Sequence, residues 1–90
     1  MQAATVIRLP IRGLSLDESE LMHRWAESAM LLAKRYLYLA ETAGSPDVLD
    51  RAKSYHKLCK SRLRYVDSGR PGMETRMAFE AWEEGQPRRL

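Results

Sequence analysis

Four side chains with catalytic potential occur as two pairs along the chain. His23 and Glu27 are four residues apart, a spacing at which two side chains meet on one helix face and could exchange a proton, although ordinary surface pairs share it. His56 and Cys59 are three apart and could act as a base and a thiol nucleophile, but no residue near them in the sequence would orient the base. Neither pair therefore predicts an active site.

Metal and cofactor motifs are not found in the sequence. The two histidines are far apart and form no H-x₃-H or HExxH spacing, and the single cysteine excludes both a cysteine zinc cluster and an internal disulfide. No Gly-rich phosphate loop is present. We therefore predict a protein that is not an enzyme, with no catalytic, cofactor-binding or metal-binding residue.

Basic residues cluster in the second half of the chain. Four of them recur at steps of four, three and four, namely Lys53, Lys57, Lys60 and Arg64. Arg51 lies to one side of this line, and no acidic residue falls between Arg51 and Arg64. Residues 45–68 carry a net charge of +3, whereas 16–44 and 70–84 each carry −2. Such a surface is either a solvated helix face or one that contacts nucleic-acid phosphates or an acidic protein.

A long central helix over residues 14–44 must position the rest of the chain. Ser15 followed by Glu18 has the capping-box spacing, and early acids complement the helix dipole. Gly44 can adopt the left-handed conformation that closes a helix. No glycine or proline interrupts the span, so we predict one helix of about 28 residues, roughly 40 Å long.

The apolar residues of this helix cover more of its surface than one neighbouring helix can bury. Two adjacent stripes predict a wide core-facing surface. The first stripe is Leu21, Trp25, Leu32, Tyr36, Leu39 and Ala43. The second stripe is Met22, Ala26, Ala29, Ala33, Leu37 and Ala40. Leu31 and Tyr38 interrupt the polar face. We predict that four large residues contribute to a dimer or partner interface, namely Trp25, Leu31, Tyr36 and Tyr38.

Two further helices complete an all-α fold. Gly44-Ser45-Pro46-Asp47 ends one helix and starts another, which predicts a long antiparallel hairpin with a second helix over about 46–68. The second helix is expected to bury a stripe of apolar residues. These are Val48, Ala52, Tyr55, Cys59, Leu63 and Val66, flanked by Leu49. A short third helix over about 73–84 should fold back onto the hairpin, and the alternative is an anchor helix that docks into a groove of a partner. The predicted apolar side of this third helix is Met73, Met77, Ala78, Ala81 and Trp82.

Outside the helices the sequence predicts a short extended arm over residues 1–13 and a basic tail over 86–90, flanking one helical domain over 14–85. Thr5–Leu9 is rich in β-branched residues, and Pro10 limits it to an edge strand or an extended arm. It could pair with its copy in a dimer, add to a partner's sheet, or pack a few apolar residues onto the helices.

The patterns together favour a small non-enzymatic regulatory or adaptor protein. We expect it to bind another protein as an inhibitor, anti-activator or chaperone, and to form a homodimer. The alternative is a small basic DNA- or RNA-binding regulator that uses the second-helix basic row. TVIRL before a helical hairpin is similar to a ribbon-helix-helix protein, but the first helix is about twice as long as that architecture uses. A lone cysteine and the lack of a membrane-length apolar run predict a cytoplasmic protein without membrane contact.

Overall fold

The computed structural model describes residues 9–87, and within them it contains three helices and no strand. The helices are α1 (Leu16–Ala43), α2 (Pro46–Asp67) and α3 (Gly72–Glu84). The first two form an antiparallel hairpin and pack along their lengths, and α3 folds back onto its open end. The predicted all-α hairpin with a short third helix is confirmed. Most of the predicted N-terminal strand and the end of the basic tail lie outside the described residues.

The predicted N-terminal caps form as expected. The hydroxyl of Ser15 accepts a hydrogen bond from the Glu18 backbone N–H at 3.2 Å, and Ser45 accepts one from the Val48 N–H at 3.3 Å. Each bond satisfies a backbone donor that has no partner within its helix. The serines thus determine where α1 and α2 begin.

The predicted left-handed conformation of Gly44 is wrong. Its φ of −96° and ψ of 136° are extended, because the chain passes directly from α1 into Ser45, the extended N-cap of α2. Glycine is nonetheless required here for space. A Cβ atom at Gly44 would lie 2.1 Å from the carbonyl oxygen of Ala40.

Small side chains form the contact between α1 and α2. Ala26, Ala33 and Ala40 recur every seven residues on α1 and are at most 4% exposed. Ala52, Cys59 and Val66 recur with the same period on α2 and are at most 1% exposed. Small residues let the two backbones approach closely, and a seven-residue repeat keeps them on one face. We call these six residues the small-residue seam.

The seam corrects the prediction that both apolar stripes of α1 face the core. The second stripe is largely buried, but in the first only Trp25 is. Leu32, Tyr36 and Leu39 are 66%, 42% and 51% exposed. In α2 the predicted stripe is also narrower than expected, since Tyr55 is 43% exposed. The hairpin closes on its smallest apolar residues and leaves many of the larger ones outside.

The principal core lies at the open end of the hairpin, where α3 and the arm meet it. Phe79 of α3 is 3% exposed and meets Trp25 edge-to-face, with ring centroids 5.5 Å apart. Val66 and Ile11 belong to the same cluster. On α3 the predicted apolar side is only partly right, because Met73 and Met77, together with Ala81, face solvent while Thr75 and Phe79 are buried.

The described part of the arm, residues 9–13, is fastened across this end of the hairpin. Ile11 is 2% exposed, and its backbone N–H donates to the Ser19 hydroxyl at 3.1 Å. The Arg12 N–H donates to the Gly69 carbonyl at 3.3 Å. Gly69 has a φ of 78°, and a Cβ there would lie 3.1 Å from the carbonyl oxygen of Pro10. The arm thus supplies part of the core.

Candidate functional site

A groove lies on one side of the hairpin, where all three helices contribute side chains. Its volume is about 250 Å³ and its walls are mainly apolar. The lining residues are Leu21, Arg24, Trp25, Ser28, Ala29 and Leu32 from α1, Tyr55 from α2 and Trp82 from α3. Among the residues that the structure describes, no carboxylate lines it. A concave apolar surface with few polar groups is typical of a binding site.

The apolar surface continues along α1 beyond the groove. From Leu32 it extends to Tyr36 and Leu39 at steps of four and three, so these three side chains share one helix face. Across from them, Val48 and Leu58 of α2 are 37% and 39% exposed. Monomeric soluble proteins seldom expose contiguous apolar patches of this kind unless they bind something.

The four predicted interface residues occupy two different surfaces. Tyr36 extends the groove, and Trp25 forms part of its wall although it is only 8% exposed. Leu31 and Tyr38, seven residues apart, are 67% and 65% exposed and share another face of α1. We call these two the Leu31–Tyr38 ridge. The role of all four in binding stays a prediction.

Sequence reasoning missed most of the groove and of the apolar row that extends it, because it assigned those residues to the core. Leu21, Leu32 and Leu39 of α1 and Tyr55 of α2 were all expected to be buried. The signal that could have found them is the seven-residue spacing of small residues on both helices, Ala26, Ala33 and Ala40 against Ala52 and Cys59. A seam of small side chains on both partners indicates that larger residues beside it lie outside the contact.

The predicted basic surface is exposed at all five positions. These are Arg51, Lys53, Lys57, Lys60 and Arg64. At about 100° per residue, the three lysines and Arg64 share one face of α2, which we call the lysine row. Arg51 lies nearly opposite them, four residues before Tyr55, and therefore on the groove side. The structure thus separates Arg51 from the lysine row.

A sixth basic residue of α2, Arg62, is engaged in the fold. Arg62 donates from Nε and Nη2 to the two carboxylate oxygens of Glu74, at 3.0 and 2.7 Å. The bidentate bond raises the pKa of Arg62 above its usual value and lowers the pKa of Glu74 below its usual value. This pair joins α2 to α3, so Arg62 is not part of a free basic surface.

His23 is a structural residue of the arm contact and not a surface partner of Glu27. It is 1% exposed, and its Nε2 donates to the carbonyl oxygen of Leu9 at 3.0 Å. Its Nδ1 lies 3.5 Å from Oδ1 of Asp67. His23 therefore links α1 to the arm on one side and faces α2 on the other.

Cys59 lies in the seam, where burial restricts access to its sulfur. It is 1% exposed and packs with Ala33 and Met30. Hydrogen bonding to the Cys59 thiol, with partial burial, raises the pKa of Tyr55. Within residues 9–87 no three His, Cys, Asp or Glu side chains are grouped so that they could hold a metal ion.

Comparison with known proteins found no relative of this chain. Neither the protein-family models, nor the curated proteins, nor the solved structures contain a match to this chain. Of the helices that the structure describes, none has the length and hydropathy needed to cross a membrane.

Proposed function

We propose that this chain is a small non-enzymatic regulatory or adaptor protein that acts by binding another protein, in the manner of an inhibitor, anti-activator or chaperone. The observation that carries this proposal is the groove, with the apolar row that extends it. Three helices converge there, yet large side chains such as Leu32 remain 66% exposed. A partner that covers this surface removes apolar area from water, and each Å² of apolar area buried contributes about 25 cal/mol of favourable free energy. The reduced, buried Cys59 fits a cytoplasmic setting.

Self-association is the second part of the proposal, and it involves the Leu31–Tyr38 ridge. Both residues project from the face of α1 that is farthest from the seam, so a second copy could cover them without closing the groove. A homodimer with twofold symmetry would place the same ridge from each copy in the contact. The groove of each copy would then remain available to the partner protein.

The first experiment is affinity capture of the tagged full chain from its native host, with and without nuclease. We expect one dominant protein to be recovered under both conditions and to be lost with Leu32→Glu. Lys34→Glu, on an exposed polar face of the same helix, should leave recovery unchanged. Capture that Leu32→Glu does not affect would contradict a role for the groove.

The ridge is tested separately by Leu31→Glu with Tyr38→Glu. We expect the double variant to be monomeric by size-exclusion chromatography with light scattering, because two carboxylates would be desolvated in the dimer contact. Helicity should be retained, since neither side chain contributes to the core. Lys53→Glu, at an exposed position of α2 away from the ridge, changes the net charge by the same amount and should remain dimeric. A monomeric wild-type chain would exclude the homodimer.

DNA or RNA binding through the lysine row is the second candidate function. Lys53, Lys57, Lys60 and Arg64 are exposed, and no carboxylate within residues 9–87 lies at ion-pair distance from them. Their charge is thus available to phosphates.

Changing Lys53, Lys57 and Lys60 to Glu should abolish any such binding, measured by fluorescence anisotropy with labelled duplex DNA and RNA. In single Lys→Glu variants that still bind, each lost phosphate contact should reduce the magnitude of the slope of log affinity against log salt by about 0.9, measured between roughly 50 and 200 mM salt. The control is the same number of charge reversals on the groove side, at Arg24, Arg35 and Arg51. Equal losses in both variants would indicate nonspecific attraction.

A further inference from the structure

The groove carries a distinctive arrangement of charge. Within residues 9–87, Arg24 is the one charged residue that lines it. Arg35 continues the same side of α1, three residues after Leu32, and Arg51 lies on the α2 side beside Tyr55. All three are exposed. The apolar surface therefore has arginines on both of its long sides.

The nearby acids leave much of this positive charge available. Glu20 pairs with Arg24 at 3.2 Å, but both side chains are solvated, and exposed pairs of this type contribute little. Within the described residues no carboxylate lies at ion-pair distance from Arg35 or Arg51, although Asp47 is one helical turn before Arg51. A partner that brings carboxylates to these edges would complement the charge.

Two of the polar groups that line the groove are selective for hydrogen-bond acceptors. The Arg24 guanidinium and the Trp82 indole N–H can only donate hydrogen bonds. Within the described residues, neither the Trp82 indole N–H nor a side-chain N–H of Arg35 or Arg51 donates to an acceptor. A ligand that supplies oxygen acceptors around an apolar centre would satisfy them.

The length of the surface defines the shape of its occupant. From Leu21 to Leu39, α1 rises about 27 Å at 1.5 Å per residue, which equals about five turns of a second helix. Grooves between helices are commonly filled by an amphipathic helix that anchors residues at i, i+3, i+4 and i+7. An extended strand would find no sheet edge among the described residues.

We propose that the groove binds one amphipathic α-helix of another protein, whose apolar stripe is bordered by Asp and Glu on both sides. The inference rests on the proposed protein-binding function and specifies the partner's chemistry. The apolar stripe packs on Leu21, Leu32, Tyr55 and Trp82. The bordering carboxylates meet the arginines on the two sides, which determines the register of the bound helix.

The test uses the full chain and two labelled synthetic peptides of about 18 residues. One is an amphipathic helix with a leucine stripe and Glu on both borders, and the other has Lys at every Glu position. By fluorescence anisotropy at low salt we expect the Glu peptide to bind at least about tenfold more tightly, with the ratio falling as salt increases. Equal affinities, a preference for the Lys peptide, or no binding of the Glu peptide would overturn the proposal.

Variants of the protein test whether the Glu peptide binds in the groove. The triple change Arg24→Glu, Arg35→Glu and Arg51→Glu should reverse the peptide preference, and Leu32→Glu should abolish binding of the Glu peptide. Reversals in the lysine row should change the affinity ratio by less than about threefold, since that row lies on the opposite face of α2 and is largely screened. Loss of the preference in the lysine-row variant alone would overturn the assignment.

Failure of the acidic-helix proposal can be distinguished from failure of the proposed function. Affinity capture of a partner through the groove, combined with no preference for the Glu peptide, would retain the function and reject the acidic helix. A wild-type dimer that Leu32→Glu dissociates, but the ridge variant does not, would show that a second copy fills the groove. That result would overturn this inference.

Discussion

Replacing Phe79 with alanine is expected to lower the free energy of unfolding by about 3–5 kcal/mol. The ring is 3% exposed and lies between two tryptophans, with centroids 5.5 Å from Trp25 and 5.8 Å from Trp82. Its removal leaves a cavity that two large rings cannot readily collapse to fill. For a domain of this size the melting temperature should fall by at least about 10 °C. Urea unfolding followed by circular dichroism measures the change.

Met77→Ala is the matched control for Phe79→Ala. Met77 is on the same helix, two residues earlier, but is 62% exposed. Its truncation should change stability by no more than about 0.5 kcal/mol. Similar losses for the two variants would mean that α3 does not pack on the hairpin as described. Since Trp82 lines the groove and packs on Phe79, the Phe79 variant should also weaken binding of the Glu peptide.

Replacing Ile11 with alanine should cost about 2–5 kcal/mol, although the residue precedes all three helices. Ile11 is 2% exposed and packs in the cluster that contains Trp25, Val66 and Phe79. Truncation removes buried methyl groups and leaves the backbone bond to Ser19 in place. Urea unfolding of the variant and the wild type gives the difference, provided the m-value is unchanged.

Leu9→Ala controls for a general effect of shortening the arm's side chains. Leu9 is 53% exposed, and its backbone carbonyl accepts a hydrogen bond from His23. Alanine at this position keeps that carbonyl and therefore the hydrogen bond. We expect a change within about 0.5 kcal/mol. If Ile11→Ala proved equally mild, the arm would not be part of the core. The Ile11 and Phe79 losses should not be additive, because both side chains fill one cluster.

Local signals in the sequence were sufficient to predict the three helices and their order. Ser15 and Ser45 begin helices because a hydroxyl can satisfy a free backbone N–H, and Pro46 at the start of α2 needs no such partner. These are interactions within a few residues, so they are largely independent of the rest of the fold. The antiparallel hairpin followed because the connection between α1 and α2 is too short for any other arrangement.

Periodicity alone could not determine which apolar residues would be buried. Both stripes of α1 have helical spacing, and the choice between them depends on the face that α2 presents. That face consists of Ala52, Cys59 and Val66, whose small size favours close approach to the alanines of α1. Leu32 and Leu39 are consequently left outside, where the sequence predicted core. Leu31 and Tyr38 are exposed because they interrupt the polar face of α1.

The sequence by itself therefore determined the class of fold, the N-terminal caps of α1 and α2, the hairpin and the basic composition of α2, all of which depend on neighbouring residues. The tertiary structure decided the rest. It buried His23 and Ile11 by bringing the arm against α1, paired Arg62 with Glu74, and placed Trp82 beside Tyr55 to form the groove. Each of these contacts joins residues at least eight positions apart, and such pairings depend on how the arm and the three helices pack.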